Sequence, residues 1–283
     1  MARDQDATTQ VLHYDGAELA YETSGEGPPL LILAAGMDPS AVAAPLAAHL
    51  SNHFTTIRFD RRGVSRSATT PHAAAAADQL AAHADDAAAL VASITDDPVF
   101  VFGASIGALV GFELIGRHPA SIRHAVLHEP PVESLVPDPT RSAKLDAVGK
   151  LAVDDPVGAV GGFAEIVGSG DVREPDAPEH PHMDDPVLTL QNFFRSDFEA
   201  VRRYKPDEAA LQAAAERLTL TQGAYSVGRF EALCSTALGA RLGLPVTTIQ
   251  SGHNPVADFP RSLATFLISH LLGPVPASPG SHR

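Results

Sequence analysis

Three short apolar runs set the strongest limit on what this chain can fold into: PPLLILAAG at 28–36, HFTTIRFD at 53–60 and PVFVFG at 98–103. Each is nearly continuous and is bounded by Pro, Gly or Asp, the mark of a strand buried on both faces of a parallel sheet. Helical stretches at about 40–50 and 73–95 separate them, so strand and helix alternate and the fold class is α/β. IRHAVLHEPP (122–131) adds a strand that Pro-Pro stops. RLTLTQG (217–223) and PVTTIQSG (245–252), with a helix over 227–242 between them, supply two more. Near the start, residues 9–23 alternate apolar and polar around Asp15-Gly16, which predicts a β-hairpin at an antiparallel edge.

The sheet pattern breaks off from 132 to 215. Four helical segments fill that stretch: SAKLDAVGKLAV, DPVGAVGGFAEIVG, DPVLTLQNFFRSDFEAVRRY and DEAALQAAAERL. An insertion of this length with its own amphipathic elements predicts a helical cap over the sheet. The expected organisation is therefore a core from 1–131 and 216–272, a cap over 132–215 and a disordered tail over 273–283. Within the cap, VREPDAPEHPHMDDP (172–186) is rich in Pro and acid and reads as a mobile loop.

Composition narrows the function. Hydrophobic residues make up 45% and charged residues 19%, as in globular domains, and the formal charge of −14 argues against a nucleic-acid partner. MARDQDATTQ is not an apolar signal region and no apolar stretch is long enough for a membrane span, which predicts a soluble cytoplasmic protein. Cys234 is the single cysteine, so no internal disulfide forms; it reads as a small buried apolar residue. The expected partner is a small-molecule substrate, with a homodimer left open, and no cofactor is expected.

The run at 98–103 ends in Gly103-Ala104-Ser105-Ile106-Gly107, and a helix follows at once. That strand-turn-helix context is what the G-x-S-x-G pattern needs: the turn raises the serine hydroxyl above the sheet edge, and the helix N-terminus offers N–H groups to an oxyanion. The plainer reading is a tight turn. A serine needs a base, and among 13 histidines His253 stands out, just past the last strand, because reactive groups gather at strand carboxyl ends. His118 ends a helix and reads as structural. His128 ends a strand and is a candidate for the pocket. HPHMDD (180–185) has ligand types without a convincing set of four, so no metal site is expected.

Residues 9–272 resemble the α/β-hydrolases with a helical cap. Ala35-Gly36 stands where the family often has His-Gly, DRRGVSRS (60–67) resembles its Asp-x-Arg-Gly-x-Gly-x-Ser segment, and the serine turn and terminal His follow in order. The resemblance implies a mostly parallel central sheet flanked by helices, and an oxyanion hole from the backbone N–H groups of Met37 and Ile106. It implies a loop-shaping role, without chemistry, for DRRGVSRS.

Two positions depart from that pattern. The family's acid usually follows the strand after the cap, but the loop here reads GAYSVG, with Tyr225 in the acid's place. A phenol near pKa 10 is no substitute for a carboxylate at neutral pH. Glu231 lies further along the next helix, too far and on a solvated face. Glu129, immediately past its strand, can take the acid's part, as in those family members that place the acid one strand earlier; the plainer reading is a Pro-bounded turn paired to an arginine. Ala35 also removes a polar group that supports the oxyanion loop.

Two enzyme readings follow. In the first, Ser105 attacks an ester, thioester or lactone, His253 is the base and Glu129 orients it. In the second, a cyclase, dehydratase or lyase uses His253 as base and Ser105 and Tyr225 as hydrogen-bond donors. A catalytically silent binding module is the third reading. Tyr225, His128, Phe193 and Phe194 are the expected pocket residues. Asn192, Phe193, Phe194 and Phe198 share one helix, and that stripe serves equally as the glue of the cap.

Overall fold

A computed structural model describes residues 8–70, 78–168 and 172–273. The tail expected over 273–283 lies outside these residues apart from Gly273, as do the first residues of the helix expected from 73.

The strands are β1 (Gln10–Tyr14), β2 (Ala17–Ser24), β3 (Pro29–Leu33), β4 (Thr55–Phe59), β5 (Ala68–Thr69), β6 (Val99–Ala104), β7 (Ile122–His128), β8 (Leu218–Gly223) and β9 (Val246–Ile249). They form one sheet in the order β1-β2-β4-β3-β6-β7-β8-β9, with β5 added on β2. From β4 to β9 every pairing is parallel, and the β1–β2 hairpin joins β4 antiparallel, as expected of an edge. Asp15 (φ 44°) and Gly16 (φ 71°) both take the left-handed conformation, which a two-residue hairpin turn requires.

The apolar runs are continuous because both faces of the central strands are covered. Leu30, Ile32, Phe100 and Phe102 point to one face, where they meet Leu46, Leu50, Phe54, Leu263 and Leu267. Leu31, Leu33, Val99 and Val101 point to the other, against Leu80, Leu90, Leu109 and Leu114. Full burial of such a side chain contributes about 1.5–3 kcal/mol. Apart from Phe54, in the turn before β4, these partners come from helices on both sides: α1 (Ala44–Leu50) and, at the far end of the chain, Pro260–Leu272 on one face, α2 (Gln79–Ile94) and α3 (Ile106–Arg117) on the other.

Between β7 and β8 the chain is helical: α4 (Pro139–Asp154), α5 (Pro156–Val167), α6 (Pro186–Asn192), α7 (Phe198–Arg203) and α8 (Glu208–Ala213). The first three of these helices begin with Asp-Pro. The Asp138, Asp155 and Asp185 side chains accept the N–H of Arg141, Gly158 and Leu188 at 2.9, 2.8 and 3.1 Å. Pro at the first helical position needs no partner there, and each Asp cap contributes about 1 kcal/mol. The long helix expected over 185–204 is divided by a π turn at Phe193–Asp197. The loop expected to be mobile is pinned to the core at several points: the Glu174 carboxylate accepts the N–H groups of Arg261 and Ser262 at 3.1 and 2.8 Å, Asp176 accepts from Arg261 at 2.9 Å, and the Asp184 N–H donates to Ser65 Oγ at 3.2 Å. After β8 come α9 (Phe230–Leu242), α10 (Pro255–Asp258) and α11 (Pro260–Leu272). Among the described residues no helix is long and apolar enough to cross a membrane.

Candidate active site

Ser105 lies between β6 and α3 with φ 55° and ψ −121°, a conformation that costs a non-glycine residue about 1–3 kcal/mol. Its N–H donates to His128 O at 2.9 Å, which holds the turn on β7. The flanking glycines are steric requirements: a Cβ on Gly103 would strike Gly107 O, and one on Gly107 would strike Leu33 O. Ile106 opens α3, so its N–H has no carbonyl four residues back.

Glu129 follows β7, also with positive φ (47°), and is fully buried. Its carboxylate reaches across the end of β8, where Oε1 accepts the Gly223 N–H at 2.8 Å and Oε2 lies 2.8 Å from His253 Nδ1. Glu129 therefore meets His253 from the end of β7, across the end of β8. With Nδ1–H donating to Glu129, the Nε2 lone pair of His253 is free to take a proton.

Two anchors hold the His253 loop. His128 Nε2 donates to Gly252 O at 3.1 Å, and Asn254 Nδ2 donates to Asp38 Oδ2 at 2.8 Å. The second joins that loop to the β3–α1 loop carrying Met37. Burial lowers the pKa of His128 and keeps it neutral, which suits its bond to a carbonyl.

Burial pushes the Glu129 carboxyl up, but the neighbouring His128 and the bonds from His253 and Gly223 outweigh it and bring it down to about 2. His253 moves the opposite way: burial disfavours its charge, while the bond to Glu129 and the charges of Glu231 and Glu129 raise its pKa above the ordinary value.

A cavity of about 40 Å³ lies beside Ser105. Gly36, Ile106, Leu145, Phe163, Phe193 and Phe198 form its apolar wall, and Glu133, Arg141, Arg202 and Glu231 its polar one. Phe163, Phe193, Phe194 and Phe198 meet edge to face with centroids 5.2–6.3 Å apart. Each such pair contributes about 0.5–1.5 kcal/mol beyond its burial. Phe193 thus walls the cavity, whereas Phe194 belongs to the cluster behind it. Met37 is half-buried and its side chain packs against the same cluster.

Three of the four expected pocket residues are not on this cavity: Phe194, Tyr225 and His128. Tyr225 is 45% exposed, stacks on Phe259 at 5.5 Å and receives a hydrogen bond from Gln250. His128 is fully buried between Thr221 and Gly252. The solvated face expected for Glu231 is also corrected: it is 2% exposed, lines the cavity, and accepts from Arg141 at 2.7 Å. Helical spacing misplaced it because α4 of the insertion lies against that face and supplies Arg141. Cys234 is buried, and burial pushes its thiol up to about 12, so it is inert. Among the described residues no group of three or more His, Cys, Asp or Glu is placed to hold a metal ion.

Comparison with known proteins agrees with this architecture. The family model for the alpha/beta hydrolase fold matches residues 28–154. Uncharacterized hydrolase YraK of Bacillus subtilis (strain 168) is 37% identical over 119 residues, which are 42% of this chain and 43% of that protein. The chain thus matches less than half the length of that curated relative. An α/β hydrolase structure from Sphaerobacter thermophilus DSM 20745 is 26% identical and superposes over 92% of this chain and 99% of that one, with a TM-score of 0.67. A candidate epoxide hydrolase from Pseudomonas aeruginosa is 18% identical over 95% of this chain and 98% of that one, with a TM-score of 0.71.

Proposed function

This chain is an α/β-hydrolase-fold protein, and from that premise we propose that it cleaves a small-molecule ester, thioester or lactone through a serine acyl-enzyme. One observation carries the reading: a strained serine at the end of β6 stands one strand from a buried carboxylate that is hydrogen-bonded to His253.

In this mechanism Ser105 Oγ attacks the carbonyl carbon as His253 Nε2 takes its proton. The carbonyl electrons move onto oxygen, where the N–H groups of Met37 and Ile106 receive them. Collapse breaks the ester bond, and the leaving group departs with the proton from His253. Water, deprotonated by His253, then attacks the acyl carbon and releases the acid and Ser105. Glu129 fixes the imidazole tautomer and stabilises the imidazolium. The helical insertion acts as a cap whose aromatic wall faces the acyl group.

Serine chemistry also separates this reading from epoxide opening. Attack of Oγ on an epoxide carbon leaves an ether with no carbonyl for water to attack, so turnover would end there. Carbonyl attack leaves an ester that the same His253 can clear. The non-hydrolytic reading asked for Tyr225 as a donor to substrate, and that side chain is stacked on Phe259 away from the cavity.

Intact-mass analysis after a fluorophosphonate probe tests the proposal. A single adduct on the wild type, lost in Ser105→Ala and His253→Ala, is the expected result. A folded wild type that stays unlabelled overturns the acyl-enzyme mechanism.

A further inference from the structure

The segment DRRGVSRS contains an arginine with an unexpected reach. Arg61 is 2% exposed, and its guanidinium donates to Ala34 O at 3.0 Å and to Gly36 O. It thus brackets Ala35 and grips the loop one residue before Met37. The same guanidinium lies 3.5 Å from Asp197 Oδ2, a partner 136 positions away on the π turn of the insertion. Asp197 Oδ1 in turn lies 2.9 Å from His83 Nε2 on α2.

The planar fork of a guanidinium can hold two carbonyls and a carboxylate at fixed angles, which an ammonium cannot. Burial pushes the Asp197 carboxyl up, but His83 and Arg61 outweigh it and leave it below its usual range, so the pair is ionised. Two apolar residues would fill this space at less desolvation cost. What they could not do is orient the carbonyls of Ala34 and Gly36. Ala35 has no polar side chain to brace its own loop, and Arg61 supplies the brace from the neighbouring strand end.

We propose that Arg61 is the positioning residue of the oxyanion loop and that Asp197, carried by the helical insertion, holds it in place. The Met37 donor is then set only while the insertion is seated against the core. Asp197 adjoins Phe198 and lies on the turn that begins with Phe193, both of which wall the cavity, so the brace and the substrate-facing wall move as one piece. This inference rests on the acyl-enzyme reading above.

The test compares the wild type with Arg61→Lys and Asp197→Asn, using p-nitrophenyl acetate for turnover and a fluorophosphonate for Ser105 labelling. Expected is a fall in kcat of about tenfold to a hundredfold, with KM within about threefold and labelling slowed in parallel, as for a loosened oxyanion donor. A merely structural role would leave kcat and labelling of the folded fraction unchanged, and that result overturns the inference while the acyl-enzyme reading stands. If the wild type itself neither labels nor turns over, the acyl-enzyme reading falls and this inference with it. The double variant Arg61→Met/Asp197→Leu replaces the buried pair with apolar side chains and guards against misfolding of the single variants. Folded and slow, it supports the proposal; folded and fully active, it overturns it.

Discussion

Nδ1 of His253 lies 2.8 Å from Oε2 of Glu129, although the two residues are 124 positions apart. The other oxygen of Glu129 is held by the Gly223 N–H, so the carboxylate is fixed at both ends and the imidazole has one orientation. The carboxylate that meets His253 therefore comes from the end of β7, and Gly223 at the end of β8 supplies only a backbone donor.

Glu129→Gln keeps the shape of that side chain and removes its charge. Turnover should fall by about a thousandfold or more, because the imidazolium formed during attack loses its counter-charge and the tautomer is no longer fixed. Measurement of kcat on an activated ester decides the point; a change of less than about threefold would remove Glu129 from the mechanism.

The paired His253 has a raised pKa, and the base must be neutral to act. The acidic limb of the kcat/KM profile should have its midpoint above 6.5, and Glu129→Gln should move it to lower pH. A midpoint that does not respond to Glu129→Gln would show that another group titrates.

Stability should follow the same linkage with opposite signs for the two partners. Glu129, depressed to about 2, contributes stability that is complete above its ordinary value of 4.5 and is lost as pH falls toward about 2. His253, with its pKa raised, contributes below its ordinary 6.5 and loses that contribution as pH rises through the raised value. Tm measured across pH 2–9 should show both limbs in the wild type and lose the Glu129 limb in Glu129→Gln.

Gly107→Ala should destabilise by about 1–3 kcal/mol or more, because its Cβ would strike the Leu33 carbonyl, which cannot swing aside. Gly161→Ala provides the contrast: nothing lies within 4 Å of its Cβ position, and alanine in a helix interior should stabilise by up to about 1 kcal/mol. Chemical denaturation of the two variants reads both effects, and equal midpoints would refute the steric argument.

Tyr225→Phe should leave kcat within about twofold of wild type, since the hydroxyl meets Gln250 outside the cavity. A larger loss would place Tyr225 among the substrate donors and favour the non-hydrolytic chemistry.

The sheet was legible in the sequence because a strand covered on both faces shows a short apolar run that little else produces, as at Leu30–Leu33 and Val99–Ala104. The contact of Glu129 with His253 could be anticipated from two places in the topology, both at carboxyl ends of strands. Side-chain direction in loops leaves no periodic trace, and this is why Tyr225 was expected at the pocket and is found on Phe259. Glu231 was misjudged because a helix face is solvated or buried according to what the insertion lays on it. The Arg61–Asp197 contact was illegible for the same reason: it spans 136 positions and joins two elements whose docking no local pattern records. The π turn was hidden because Asp185–Tyr204 reads as one unbroken amphipathic helix.

The cavity of about 40 Å³ beside Ser105 has room for a few waters at most, far below the several hundred Å³ that a drug-sized ligand fills. On the proposed mechanism, an acyl group of more than a few heavy atoms would need this cavity to widen, and binding would then draw on whatever fraction of molecules is open at a given moment. An open fraction of about one in a hundred would make every measured Kd about a hundredfold weaker than that of the open pocket itself. Substitutions remote from the chemistry, at the interface between insertion and core, would then shift apparent affinity for all substrates by one common factor.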